Sequence, residues 1–486
     1  MARPNILVIM TDQQRRDTIG AYGCDWIETP NLDRLAAEGT LFTACTVDNP
    51  ICTPSRASMF TGKPIPGHSV YRVHDNLPED EVLFTEHLQK VGYHTALFGK
   101  LHVSSRLQEE EKRHPHDGFN IYEWCLEPSV GMDSPFNGYV RWLAEQDSEF
   151  LERLRRNRRA ELHHPEAVHM SKWAADRTID FIENAGQDDR PFFCLMSLFD
   201  PHDPYEDHPL ASRERVDADR IPQPLPVSSK SWAVDQERHG SYVGDAEAFT
   251  PDEIKEIRLG YGASIAFADM QIGRVLDALV TSGLAENTCV IFLSDHGDQL
   301  GDHGLFVKGA ALYEQTVGVP LIVRWPGQVE AGQHCPALVQ GHDLAATCLA
   351  AAGLDAATLC PESENVVAVA RAGSTHRSVA VCAYRNSGIN SSGRFWDPPL
   401  LATMVRNQRY KLILYSKPDG AERELFDLDT DPGEQTNLSG DPELAGVETE
   451  LLSELAAFLQ REAGHMSPRA VPSIPSTAHL LRNSLK

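Results

Sequence analysis

The sequence lacks several features, and each absence narrows its reading. Its ten cysteines, at 24, 45, 52, 125, 194, 289, 335, 348, 360 and 382, include no Cys-x-x-Cys pair. With no export signal either, they are expected to be mostly buried thiols rather than a disulfide framework. Long apolar runs are missing too. The N-terminal stretch "MARPNILVIMTDQQ" is cut off by Thr11 and Asp12, is too short for a membrane span and has no small-residue cleavage site. It reads as the first buried strand of a mature cytoplasmic protein, with no membrane partner. Positive charge is in deficit: 44 basic against 70 acidic residues leave a net charge of −26, which argues against general nucleic-acid binding. One run, "RLRRNRR" from Arg153 to Arg159, goes against this trend and is expected to be a solvated helix face. No low-complexity tract is present, and 41% hydrophobic with 23% charged residues is ordinary globular composition. A chain of 486 residues has room for one large domain plus a smaller one, or for three modest ones.

What is present is a repeated strand ending. "NILVIM" (5–10) runs into Thr-Asp-Gln-Gln, "TALF" (95–98) into Gly-Lys-Leu-His, "FFCLMSLF" (192–199) into Asp-Pro-His-Asp-Pro, and "CVIFLS" (289–294) into Asp-His-Gly-Asp. Near-continuous apolar runs of this length predict strands buried on both faces. Amphipathic stretches at 31–39, 83–92, 171–186 and 257–283 alternate with them and predict helices covering the sheet on both sides. In such sheets ligands bind beyond the carboxyl ends of the strands, so Asp12, Lys100, His102, His202, Asp295 and His296 are expected at one edge. Any one of them alone reads equally well as a cap, a turn or a solvated residue. The recurrence on four strands is what points to a site.

The residue types divide by chemistry. Asp12, Asp295 and His296 suit a divalent cation, with Gln13 able to add an amide oxygen. Lys100 and Lys308 are point charges suited to a tetrahedral anion, while His102 and His202 can move protons. The stretch "ICTPSRASMFTGK" (51–63) adds a helix opening at Pro54 and ending at Gly62, with Cys52 at or just outside its N-terminus and Arg56 four residues on, on the same face. A metal, two lysines, an arginine and a helix N-terminus together describe a site for an oxyanion ester.

These motifs resemble the sulfatase family of the alkaline phosphatase superfamily. "CTPSRASMFTG" matches its Cys-x-Pro-Ser-Arg signature, and residues 5–47 match its N-terminal segment. "GKLH" matches its Lys-x-His step, "LSDHGDQLGDHGLFVKG" its second metal segment, and "ELFDLDTDPGEQTNL" (424–438) its closing signature. The resemblance implies that Cys52 is converted to formylglycine by a formylglycine-generating enzyme. Its hydrated aldehyde would attack sulfur and later expel sulfate by elimination. It also implies roles: residue 52 as nucleophile and metal ligand, Arg56 holding the diol, Asp12, Asp295 and His296 as metal ligands, and Lys100 and Lys308 on sulfate oxygens. His102 would assist elimination and His202 would protonate the leaving oxygen. Calcium suits such a site, and the imidazole keeps manganese open, with magnesium a further candidate. Two departures, Gln13 after Asp12 and His296 after Asp295, resemble phosphonate monoester hydrolases, as does "HDNLP" (74–78), which makes Asn76 and Gln13 candidate substrate contacts.

The fold expected is α/β. A large mixed sheet sandwiched by helices would occupy residues 1–365, followed by a smaller C-terminal antiparallel sheet plus helix at 366–466. A tail, 467–486, would either make a subunit contact in a homo-oligomer or fray. Segments 104–170 and 203–250 read as irregular connections that wall the pocket. The first functional reading is a sulfuric ester hydrolase acting on a small sulfate ester. The alternative is a phosphonate or phosphate ester hydrolase using the same aldehyde. Behind both stands a protein that binds oxyanions without turnover.

Overall fold

All four predicted strands form, and they lie side by side. In the computed structural model, which describes residues 3–185 and 190–465, His94–Gly99, Phe192–Ser197, Asn5–Thr11 and Thr288–Ser294 are consecutive parallel neighbours. Ile121–Trp124 extends the sheet on one side. Leu321–Arg324, Thr40–Phe42 and Gln333–Cys335 extend it on the other, and Leu321–Arg324 runs antiparallel to both its neighbours, which makes the eight-stranded sheet mixed. Both faces are apolar, as an alternating side-chain pattern with period two requires. Ile6, Val8 and Met10 pack into one core with Met59 and Phe60, while Leu7 and Ile9 pack into the other with Trp173 and Ile272.

Register sets the site. Gly99 and Met10 are both paired with Ser197, and Thr11 is paired with Ser294. The four strands therefore end level, and Lys100, Asp12 and Asp295 emerge together at one rim. The helix Cys52–Thr61 lies against this rim with all ten of its residues buried, and Gly62 closes it in the left-handed conformation.

Some boundaries differ from the expectations. The long helix spans Pro251–Thr281, because Thr250 and Glu253 form a reciprocal capping box with Pro251 at the first helical position. Segment 104–170 is not irregular; it carries the helices Arg106–Glu111, Gly138–Gln146 and Ser148–Asn157 and an edge strand. Segment 203–250 holds the helix Trp232–Gly240.

The C-terminal strands Ala380–Arg385, Leu401–Arg406, Tyr410–Lys417 and Gly420–Asp427 form an antiparallel sheet in that order. The helix Ala445–His465 covers it through Leu451 and Leu455, against Val405, Leu412 and Leu425. The stretch that resembles a closing signature ties the C-terminal sheet to the short helix Glu314–Val317: buried Glu434 accepts from the Glu314 amide at 2.6 Å and pairs with Lys411 at 2.7 Å. The tail 467–486, with its expected subunit contact, lies outside the described residues. Among those described, no helix is long and apolar enough to cross a membrane. The described cysteines are all free, and only Cys24 is not buried.

Gly99 sits at φ +114° where its strand hands over to Lys100, and a Cβ there would overlap the Ser197 carbonyl oxygen. Gly99→Ala is expected to destabilise the fold by about 2–5 kcal/mol through strain and overlap together. Urea unfolding measures this, and a change within about 0.5 kcal/mol would contradict it.

Candidate active site

Three buried atoms with few partners define the centre. The Asp12 Oδ1, Asp295 Oδ1 and His296 Nε2 region is fully buried, and these three residues offer ligand atoms within 4.8 Å of one another. Asp12 Oδ1 and His296 Nε2 have no hydrogen-bond partner. His296 Nδ1 lies 2.9 Å from the Gly297 carbonyl, which makes Nδ1 the protonated nitrogen and leaves the Nε2 lone pair free. Nε2 stands 3.6 Å from Asp12 Oδ1 and 3.7 Å from Asp295 Oδ1. Asp295 Oδ1 accepts from the Gln13 amide at 3.1 Å, and two carboxylate oxygens and an imidazole lone pair, buried close together, fit a divalent cation.

The other carboxylate oxygens are held by cations. Asp12 Oδ2 takes Lys100 Nζ at 2.5 Å and Arg56 Nη2 at 3.2 Å, and Asp295 Oδ2 takes Arg56 Nε at 2.6 Å. Arg56 also donates to the Lys100 carbonyl at 2.8 Å and to Ser197 Oγ at 2.9 Å. Its guanidinium thus grips carboxylates and the strand ends. Burial alone would raise the Asp12 carboxyl, but Lys100, His202 and Arg56 outweigh it and hold it well below the usual range. Burial would also raise Asp295, and Arg56 again reverses the direction. Burial disfavours the Lys100 ammonium, yet Asp12 lifts it to about 12, so it is a permanent charge.

Cys52 is the first residue of its helix, 5% exposed, with Pro54 in the first turn. Ser55 Oγ anchors this end to the Asp295 carbonyl at 2.6 Å. Burial pushes the Cys52 thiol up, but Lys100, the neighbouring His296 and Lys308 bring it below its ordinary value. Position 52 therefore faces the carboxylate–imidazole cluster, as the sequence reading required.

The remaining predicted residues surround it. Lys308 Nζ contacts His202 Nε2 at 2.6 Å and donates to Gln13 Oε1. His202 Nδ1 lies 2.7 Å from the Asp203 carbonyl. His102 Nε2 meets Thr53 Oγ1 at 3.0 Å, and its backbone amide is held by Glu109 at 2.9 Å. Burial, then neighbouring lysines, drive both histidines down to about 3. Cys52, Lys100, His102, His202 and Lys308 all line one cavity of about 210 Å³.

Gln13 touches the cluster through its backbone amide, which donates to Asp295 Oδ1 at 3.1 Å; its carboxamide oxygen accepts from Lys308 and its Nε2 donates to Asp298 at 2.5 Å. Asn76 accepts from the Ser105 amide at 3.2 Å and borders a different cavity, and His74 lines the cavity above Cys52 instead. Ser105 engages the Asn76 carboxamide oxygen through both its amide and its hydroxyl.

Sequence reasoning missed Arg159. It ends the basic run, and though exposed it reaches across to pair with Asp203 at 2.8 Å and Glu127 at 3.2 Å at the cavity edge. Only its place in the run hinted at it. Both long connections do supply wall residues, Glu127 and Arg159 from one, Glu237 and Tyr242 from the other, with Tyr384 and Trp396 added from the C-terminal part.

Comparison with known proteins agrees with this geometry. The sulfatase family model matches residues 4–354, and a model described as N-sulphoglucosamine sulphohydrolase, C-terminal, matches residues 301–461. The uncharacterized sulfatase YidJ of Escherichia coli is 31% identical over 481 residues, covering 95% of this chain and 88% of its own. An arylsulfatase of Clostridium perfringens is 32% identical over 344 residues, covering 68% and 70%. In fold, the phosphonate monoester hydrolase SpPMH from Silicibacter pomeroyi superposes with a TM-score of 0.78 at 20% identity, over 96% of each chain. The chain belongs to the sulfatase family of the alkaline phosphatase superfamily. It is, by that membership, a sulfuric ester hydrolase.

Removing Arg56 would leave two buried carboxylates without their shared cation. Arg56→Ala is expected to cost about 3–5 kcal/mol of stability, with part recovered on adding a divalent cation. Thermal unfolding with and without the cation measures this. A loss under about 1 kcal/mol would show that the ion pair does not organise the rim.

Proposed function

We propose that the chain hydrolyses sulfate esters with residue 52, matured from cysteine to formylglycine by a formylglycine-generating enzyme, as its nucleophile. The observation that carries this is the position of Cys52, at a helix N-terminus facing Asp12, Asp295 and His296 with Lys100 and Lys308 beside it. The aldehyde would supply, as its hydrate, the attacking hydroxyl. A divalent cation bound by Asp12, Asp295 and His296 would supply Lewis acidity toward that hydroxyl and the ester oxygens. Calcium fits the two carboxylates, and the imidazole favours manganese as the other candidate.

The chain's own groups divide the rest. Lys100 and Lys308 neutralise oxygens of the anionic ester. The Asp203 carbonyl fixes the His202 ring through Nδ1, which leaves Nε2 at the cavity accepting from Lys308 at 2.6 Å; a proton passed from that ammonium through Nε2 would reach the leaving oxygen. His102, held at Thr53 beside residue 52, is placed to take the proton from the second hydroxyl. Arg56 holds one oxygen of each carboxylate, which leaves the other oxygen of each to hold a divalent cation with His296.

A second reading, hydrolysis of phosphonate or phosphate esters by the same group, is favoured by His296 in the ligand set and by Gln13 after Asp12. One experiment ranks the two. The metal-loaded enzyme is assayed on an aryl sulfate and an aryl phosphonate ester, with mass analysis of the peptide around position 52. The sulfate is expected to be preferred, with an aldehyde at position 52. Preference for the phosphonate would reverse the ranking, and full turnover with an intact thiol would remove the aldehyde from the account.

His202→Ala should cut turnover of esters with poor leaving groups by about 10²–10⁴-fold and spare those with good ones. An equal loss on both would refute its role in proton transfer to the leaving oxygen.

A further inference from the structure

Lys308 stands on an unusual piece of backbone. Val307, a β-branched residue, has φ +55°, a conformation such residues rarely adopt. Directly after Lys308, Gly309 packs so closely that a Cβ there would overlap Glu237 Oε1. Glu237 belongs to the separate helix Trp232–Gly240 and is 7% exposed. Its Oε1 accepts from the Ala310 amide, and its Oε2 accepts from the Ala311 amide at 3.0 Å. One buried carboxylate therefore takes two successive N–H groups of the loop that presents Lys308, and the same carboxylate borders the cavity above Cys52.

We infer that Glu237 is a positioning residue for the sulfate group: it clamps the 307–311 loop so that the Lys308 ammonium is held at the height of the ester oxygens. This rests on the reading of Lys308 as a sulfate contact. A strained φ persists only where neighbours over-determine it, and the two amide bonds from Glu237 supply that determination from outside the loop. Without them Val307 can relax, and the ammonium loses its fixed place next to His202 and Gln13.

The clamp also has a pH dependence. Burial pushes the Glu237 carboxyl up to about 7, and only the two amides oppose it. The groups around it are Tyr384 on the facing strand, which feels its charge, Lys308 on the clamped loop, and Arg238 beside it on the helix, paired with Asp235 at 3.2 Å. His74 and Glu127 border the same cavity. Because the folded value is raised, the two-acceptor carboxylate is complete above about 7. It is lost as the pH falls through that value, when one oxygen becomes a hydroxyl donor.

The test is inhibition of the matured, metal-loaded enzyme by inorganic sulfate, an anion that stays ionised throughout, between about pH 6 and 8.5. Wild type is expected to bind sulfate more weakly as the pH falls through about 7. Glu237→Gln offers one acceptor and is expected to bind sulfate about tenfold more weakly at the alkaline end, with the acid limb gone. In a Lys308→Ala background the same change should add no further loss, since the clamp acts through the ammonium. Glu237→Gln with wild-type sulfate affinity and an unchanged acid limb would overturn the inference, as would a full additional loss on Lys308→Ala. If Glu237→Gln does not fold, Glu237→Asp keeps both acceptors on a shorter stem. It should keep the acid limb with weaker binding, and undiminished binding there would count against the clamp. Failure of the wild-type enzyme to bind sulfate or cleave sulfate esters would instead count against the reading of the site.

Discussion

A single buried guanidinium organises this molecule. Arg56, with none of its side chain exposed, binds one oxygen of Asp12 and one of Asp295, and reaches the strand ends at Lys100 and Ser197. Burying charges in this way is costly unless every partner is satisfied, and here the partners come from four separate segments of the chain. Arg56 and Lys100 balance Asp12 and Asp295 one for one. That leaves one oxygen on each carboxylate turned toward the His296 lone pair. A divalent cation together with Lys308 would then give the centre a net positive charge, inside a protein whose overall charge is −26. An anionic ester would be attracted to the catalytic rim.

The sheet makes that arrangement possible. Four parallel strands ending in register bring residues nearly 300 positions apart, such as Asp12 and Asp295, to adjacent places. The helix Cys52–Thr61 adds its N-terminus to the same rim, with Ser55 bonded to the Asp295 carbonyl. The inserted segments and the C-terminal sheet then close the cavity from above, so the outer walls come from parts of the chain that contribute nothing to the rim itself.

Most of the rim was legible in the sequence because it is written locally. An apolar run followed at once by Asp, Lys or His gives both the strand and the direction its functional residue faces. The nucleophile helix was equally readable from Pro54 and Gly62. The long helix was placed six residues late because its reading started from the apolar periodicity at 257, although Thr250 and Glu253 together spell its cap. The helices of 104–170 were missed because their apolar faces are short and interrupted by charge. Side-chain partners were less legible still. Nothing local says that Arg159 pairs with Asp203, that Ser105 takes the Asn76 oxygen, or that Glu237 reaches the amides beyond Lys308. Those contacts depend on how loops cross above the sheet, which periodicity does not encode.

The central claim is that residues from distant segments gather at one sheet rim to hold a cation against position 52. Anomalous scattering from a crystal of the matured enzyme grown with manganese addresses it directly. The account predicts one strong peak bounded by Asp12, Asp295 and His296 and touching the side chain at position 52. A peak elsewhere, or none at that position in manganese-loaded active enzyme, would contradict it.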